Sequence, residues 1–174
     1  MSAAPALDLV ALKGIAYQRI GGVSDELYGT IVRLLERHMV RERVEDIDGI
    51  LETLVGEPRF VMEHMPFHIS NRWWWSRKVW QGREAVIAFY QGLFRTFQSF
   101  HVDVFRYTVS PKGVVDAYRV GGRVLTRLLN FPRLGIRGIP VTLTMAAFLP
   151  YDPAERKLRG EHVYFREANA LANL

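Results

Sequence analysis

Residues 101–120, HVDVFRYTVSPKGVVDAYRV, decide the fold class of this chain. The period of HVDVFRYTV is strand-like, a Pro111-Lys112-Gly113 turn follows, and a strand-like run resumes in VVDAYRV. Two strands joined by a short turn have that period. Two more such runs lie downstream, VTLTMAAFL at 141–149 and KLRGEHVYF at 157–165, separated by a polar turn through Asp152 and Pro153. Upstream the period is helical. Ser24 is a good N-cap, Asp25 and Glu26 suit a helix N-terminus, and Leu27, Ile31, Leu34, Leu35 and His38 recur at helical spacing, which predicts a helix near 24–43. Ile47, Ile50, Leu51, Leu54 and Val55 keep the rhythm and predict a short second helix stopped at Gly56. Residues 59–66, RFVMEHMP, bounded by prolines, predict a first strand. From Gly82 a third helical pattern carries Val86, Phe89, Tyr90, Leu93, Phe94 and Phe97 on one face. Helices followed by a run of strands, without alternation of the two, define an α+β class.

The length of 174 residues suits one domain, read as an N-terminal arm over 1–23 and a single domain over 24–174. With 49% apolar and 24% charged residues the chain can bury a sizeable core. Cysteine is absent, which excludes disulfides, thiolate metal sites, iron–sulfur clusters and cysteine nucleophiles. No apolar run reaches membrane-spanning length, and residues 1–10 lack the basic and apolar regions of a secretory signal, so a cytoplasmic protein without membrane contact is expected. The five histidines show no HxH or HExxH spacing, so no metal is expected. Nor is a nucleotide cofactor, since no Gly-rich phosphate loop is present. Trp73, Trp74 and Trp75 stand together among Arg72, Arg77, Lys78 and Arg83, and the connection 121–140 carries four further arginines. Such a mixture can stack bases and hold phosphates, but no RNA-binding motif accompanies it, so nucleic acid is disfavoured. Three consecutive indoles cannot all face one interior; at least one is expected at a dimer interface or a pocket mouth.

Several short motifs carry a resemblance. Asp46-Ile47-Asp48-Gly49-Ile50-Leu51 is similar to the second helix of SnoaL-like polyketide cyclases, residues 60–66 to their first strand, Gly82-Arg83-Glu84-Ala85-Val86 to the start of their third helix, and Glu161-His162-Val163-Tyr164-Phe165 to their terminal strand. The order of these motifs over about 24–170 resembles the nuclear transport factor 2-like superfamily, to which ketosteroid isomerases also belong. The resemblance implies a cone in which a curved, mostly antiparallel sheet wraps around three helices and leaves an apolar pocket. Enzymes and non-catalytic binding domains share this fold, so it does not by itself decide function.

What the resemblance implies about site residues can be followed position by position. His38 falls where the isomerases keep a first-helix tyrosine, and Thr144 where they keep a second acid. A threonine hydroxyl does not replace a buried neutral carboxyl, so steroid isomerisation is disfavoured. The base belongs on the first strand, at Met62 or Glu63 according to a one-residue shift, with His64 beside it. If inward residues share parity with Val61, Glu63 enters the pocket; if they share it with Phe60 and Met62, His64 does. The plainer role for either is a strand-end ion pair with a loop arginine. On the terminal strand Glu161, Val163 and Phe165 are expected inward, with Glu161 a second carboxylate or a rim ion pair. Thr142, Thr144, Ala146 and Phe148 share a face and would line ligand space. Tyr90 and Phe94 suit core filling or ligand contact, and Trp73 and Trp75 the mouth.

The expectation is therefore a SnoaL-like, cofactor-free protein binding a small, apolar or polyketide-like molecule. If it is an enzyme, it is an isomerase, cyclase or lyase in which Glu63 or His64 takes a proton next to a carbonyl while His38 and Thr144 stabilise the enolate oxygen. The alternative is a non-catalytic ligand-binding or interaction domain. A homodimer is expected in either case.

Overall fold

The computed structural model of the chain describes residues 16–63, 77–124, 130–131, 136–137 and 139–169. In chain order these form β1 (Ala16–Arg19), α1 (Asp25–Arg43), α2 (Ile47–Glu52), β2 (Leu54–Glu63), β3 (Lys78–Gln81), α3 (Arg83–Thr96), β4 (Phe97–Ser110), β5 (Gly113–Val124), β6 (Asn130–Phe131), β7 (Ile136–Arg137), β8 (Ile139–Asp152) and β9 (Lys157–Asn169). The sheet runs β1-β4-β5-β8-β9-β2-β3, with β6 and β7 as a separate ribbon. The β1/β4 and β2/β9 pairs are parallel and the rest antiparallel. The α+β class is as expected.

Local chemistry explains the helix boundaries. The Ser24 hydroxyl accepts from the Leu27 amide at 3.2 Å, and Asp25 and Glu26 at one end and Arg41 and Arg43 at the other oppose the dipole of α1. Helix α3 starts after Gly82, whose φ of 83° suits glycine. Helix α2 ends before Leu54 and Val55, which the helical spacing had assigned to it. There Thr53 turns its hydroxyl back onto the Ile50 carbonyl at 2.5 Å, and the Leu158 amide donates to the Thr53 carbonyl at 3.0 Å, so the chain enters the sheet at once. Pro58 lies within β2, where the β2/β9 register shifts between Leu54 and Arg59. A residue without an N–H is tolerated at such a bulge. Opposite it, Gly160 has φ 128°, and a Cβ there would stand 2.0 Å from the Arg59 carbonyl oxygen.

Residues 16–19 of the expected arm are part of the sheet, and β5 and β8 extend into both ends of the 121–140 connection. The helices cover one sheet face. Its core gathers Val109 and Val114, Leu143, Met145, Leu149 and Val163 with Ile31 and Leu35 of α1 and Val86 and Phe89 of α3. Phe60, Phe89 and Tyr90 pack ring to ring with centroids 5.0–5.6 Å apart. Burying side chains of this size contributes on the order of 2 kcal/mol each. Leu143, Met145, Ala147 and Leu149 face this core, which corrects the expected parity of β8: Thr142, Thr144, Ala146 and Phe148 lie on the other face, half-buried. The wholly apolar set goes against the helices, and the set that carries the two hydroxyls faces away.

Candidate active site

The register across the sheet assembles a row of side chains under the helices: Tyr17, Tyr107, Asp116, Ala147, Val163 and Met62, one from each successive strand. Asp116 is 1% exposed and accepts from the Ala147 amide at 3.1 Å. Burial above all, and then the charges of Glu161 and Glu42, hold its carboxyl well above the usual carboxylate range and favour the form that keeps its proton. Directly opposite on β4 stands Tyr107, fully buried, whose hydroxyl makes no hydrogen bond among the described residues. Burial, followed by the charge of Asp116, raises the value for Tyr107, so this hydroxyl also keeps its proton. Buried donors are nearly always partnered, and an exception needs an explanation.

Above this row, α1 supplies a second polar group. His38 and Glu42 are four residues apart and share one helix face, with the His38 side chain 1% and the Glu42 side chain 12% exposed. His38 Nδ1 is 2.6 Å from Thr53 Oγ1, and His38 Nε2 lies 3.6 Å from Glu42 Oε1. Tyr90 on α3 donates its hydroxyl to Glu42 Oε1 at 2.7 Å and lies 3.5 Å from His38 Nε2. Tyr17 packs at a tilt against Tyr107, with ring centroids 5.3 Å apart, and donates to Glu36 at 2.8 Å, linking the sheet edge to α1. Burial, then the Glu36 carboxylate, raises the Tyr17 value.

The residues singled out by sequence fall in three groups. His38, Tyr90, Glu161, Val163 and Met62 belong to the inner assembly; Glu161 pairs with Phe60 in register and shares the strand face of Val163, which is 1% exposed. Phe94 packs on Tyr90 at 5.6 Å. Phe60 and Met62 face the helical core, so Glu63 takes the opposite parity. There its Oε1 accepts from His162 Nε2 at 3.0 Å and pairs with Arg77 at 3.1 Å, the plainer of its two expected roles. Thr144, Ala146 and Phe148 lie on the face opposite the inner assembly. His64, Trp73, Trp75 and the Phe165 side chain lie outside the described residues.

Sequence reasoning missed Asp116, Tyr107, Glu42 and Thr53. The first two had a signal, since in VVDAYRV and RYTV they share alternation with Val114 and Val109. Glu42 had one too, four residues after His38. Among the described residues no three His, Asp or Glu side chains gather as metal ligands, and no helix is long and apolar enough to cross a membrane.

No protein-family model matches the chain, and no curated protein matches it in sequence. Solved structures do match its fold. A SnoaL-like protein from Jannaschia sp. CCS1 is 20% identical, with a TM-score of 0.59 over 79% of this chain and 85% of that one. The epoxide hydrolase/cyclase-like enzyme SalBIII, with a role in pyran ring formation in the polyether salinomycin, is 14% identical, with a TM-score of 0.61 over 84% and 98%. A protein of ketosteroid isomerase-like fold from Catenulispora acidiphila, in complex with trimethylamine, is 12% identical, with a TM-score of 0.59 over 80% and 89%. The chain has the SnoaL-like, nuclear transport factor 2-like cone fold.

Proposed function

We propose that this chain is a cofactor-independent enzyme that moves a proton next to a carbonyl in a small, apolar or polyketide-like molecule held between the helices and the inner sheet face. The observation that carries this reading is the pair Tyr107 and Asp116: two buried donors side by side, one without a partner among the described residues and one favoured in its proton-bearing form. Such a pair suits an oxygen on which negative charge develops. Glu161, on the same inner face and electrostatically coupled to Asp116, is the proton acceptor. The α C–H bond breaks, its proton passes to the Glu161 carboxylate, and the electron pair moves onto the carbonyl oxygen, where Tyr107 and Asp116 donate to it. Return of the proton to another carbon gives an isomer, and attack by the enolate carbon on a second electrophilic centre closes a ring. Fold likeness to a cyclase-like enzyme agrees with this class.

Two measurements test the reading. Wild-type protein should bind 2-naphthol as its anion, read by absorbance, and Tyr107→Phe and Asp116→Leu should each weaken that binding at least about tenfold. Exchange of the α-hydrogens of 2-tetralone in heavy water, followed by NMR, should fall about a hundredfold in Glu161→Gln. Wild-type protein that neither binds the naphtholate nor exchanges the ketone would sink the proposal.

A second reading concerns assembly. Val79, Val115 and Tyr164 lie on the outer sheet face and are 46–48% exposed. We propose that this face pairs with a second copy of the chain; sedimentation of Tyr164→Glu should then show a shift towards monomer, and a wild-type monomer ends the idea.

A further inference from the structure

The hydrogens around His38 can be counted one by one. Thr53 Oγ1 lies 2.5 Å from the Ile50 carbonyl oxygen, a distance that two oxygens tolerate only with a hydrogen between them. The threonine has a single hydroxyl hydrogen, and it is thereby committed. Toward His38, 2.6 Å away, Thr53 can only accept, so His38 Nδ1 carries a hydrogen and donates it. His38 Nε2 then faces Glu42 Oε1 at 3.6 Å, with Tyr90 already donating its own hydrogen to that oxygen. A bare imidazole nitrogen directed at a carboxylate would set lone pair against negative charge in a buried site, where such repulsion is costly.

We propose that His38 carries a second hydrogen on Nε2, making a buried imidazolium–carboxylate pair with Glu42, and that Thr53 is the positioning residue that holds it in that state. The consequence for the site rests on the reading above. Glu42 couples electrostatically to both Tyr107 and Asp116. A lone carboxylate there would repel an oxygen that becomes negative, and pairing with His38 weakens that repulsion. Thr53 acts through His38.

Two-bond proton–nitrogen NMR of protein labelled at histidine tests the proton count without any ligand. At neutral pH the wild type should show both His38 nitrogens protonated. Glu42→Gln should show Nδ1–H with a bare Nε2, because the glutamine amide can donate to it. Thr53→Val should lose the doubly protonated signature, and Thr53→Ser should restore it. A bare Nδ1 or bare Nε2 in the wild type overturns the proposal, as does a Thr53→Val spectrum equal to the wild type. Should Thr53→Val fail to fold, the wild-type, Thr53→Ser and Glu42→Gln spectra still decide the matter. Naphtholate binding separates the two proposals: if it is absent while the histidine spectra behave as described, only the functional reading fails. If both hold, Thr53→Val weakens naphtholate binding and Thr53→Ser recovers it.

Discussion

Two neighbouring rows of side chains cross the same sheet one residue apart, and a histidine–carboxylate pair accompanies each. The inner row runs Tyr17, Tyr107, Asp116, Ala147, Val163 and Met62, beneath His38 and Glu42. The outer row runs Gln18, Thr108, Val115, Phe148, His162 and Val61, with Glu63 bonded to His162. On the outside Arg77, 53% exposed, supplies a third charge, and His162 stacks on exposed Tyr164 at 4.6 Å. Solvent screens that group, and its members can change partners at little cost. On the inside a hydrogen without an acceptor in the protein is costly, and Thr53, Tyr90 and the Ile50 carbonyl surround one histidine and its carboxylate. The same pair of residue types is thus an ordinary surface clasp in one row and a constrained proton site in the other.

Removing one carboxylate from each pair gives the largest contrast. Glu42→Ala should cost about 3 kcal/mol, because it strands buried partners, whereas Glu63→Ala should cost about 0.5 kcal/mol and less in high salt. Urea denaturation of both variants checks this, and equal losses would erase the distinction between the rows.

The next contrast is in pH dependence. Asp116 has a folded value raised above its unfolded one, so the folded chain binds more protons between the two. Its stabilising contribution is full below the unfolded value and is lost as pH rises through the folded value. Wild-type protein should therefore lose stability over that rise, and Asp116→Asn should flatten the loss in a melting series across pH. A slope unchanged by the substitution would mean that Asp116 is not the group responsible.

A smaller effect sharpens the picture at Tyr107. Its buried hydroxyl has no hydrogen-bond partner among the described residues, so Tyr107→Phe should gain about 1 kcal/mol of stability while weakening naphtholate binding. A loss of stability instead, in the same urea titration, would show that the hydroxyl is satisfied in the folded protein.

Much of the architecture was legible in the residues. The cap at Ser24, the apolar stripes of α1 and α3, and the alternation of β4, β5, β8 and β9 are local patterns, and each became the expected kind of element. Departures came where tertiary contacts overrode a local pattern. Leu54 and Val55 fit a helical spacing but were drawn into β2 by the bond from Leu158, and residues 16–19 gained a strand only because the edge of β4 was open to them. The inner face was legible in part. Motif order pointed to His38 and Glu161, which lie on it, while Asp116, Tyr107, Glu42 and Thr53 were passed over.

Taken alone, the sequence determined the kind of each main element, the α+β class, and the choice of faces on the helices, because a 3.6-residue stripe has one apolar side. It did not determine which side of a strand is inner. Alternation with a period of two is symmetric, and the choice between Met62 and Glu63, or between Ala147 and Phe148, is made by hydrogen-bond register with strands far away in the chain. Tertiary structure alone brought Tyr107 beside Asp116 and set Thr53 against His38, since burial and the loss of water are properties of the assembled core.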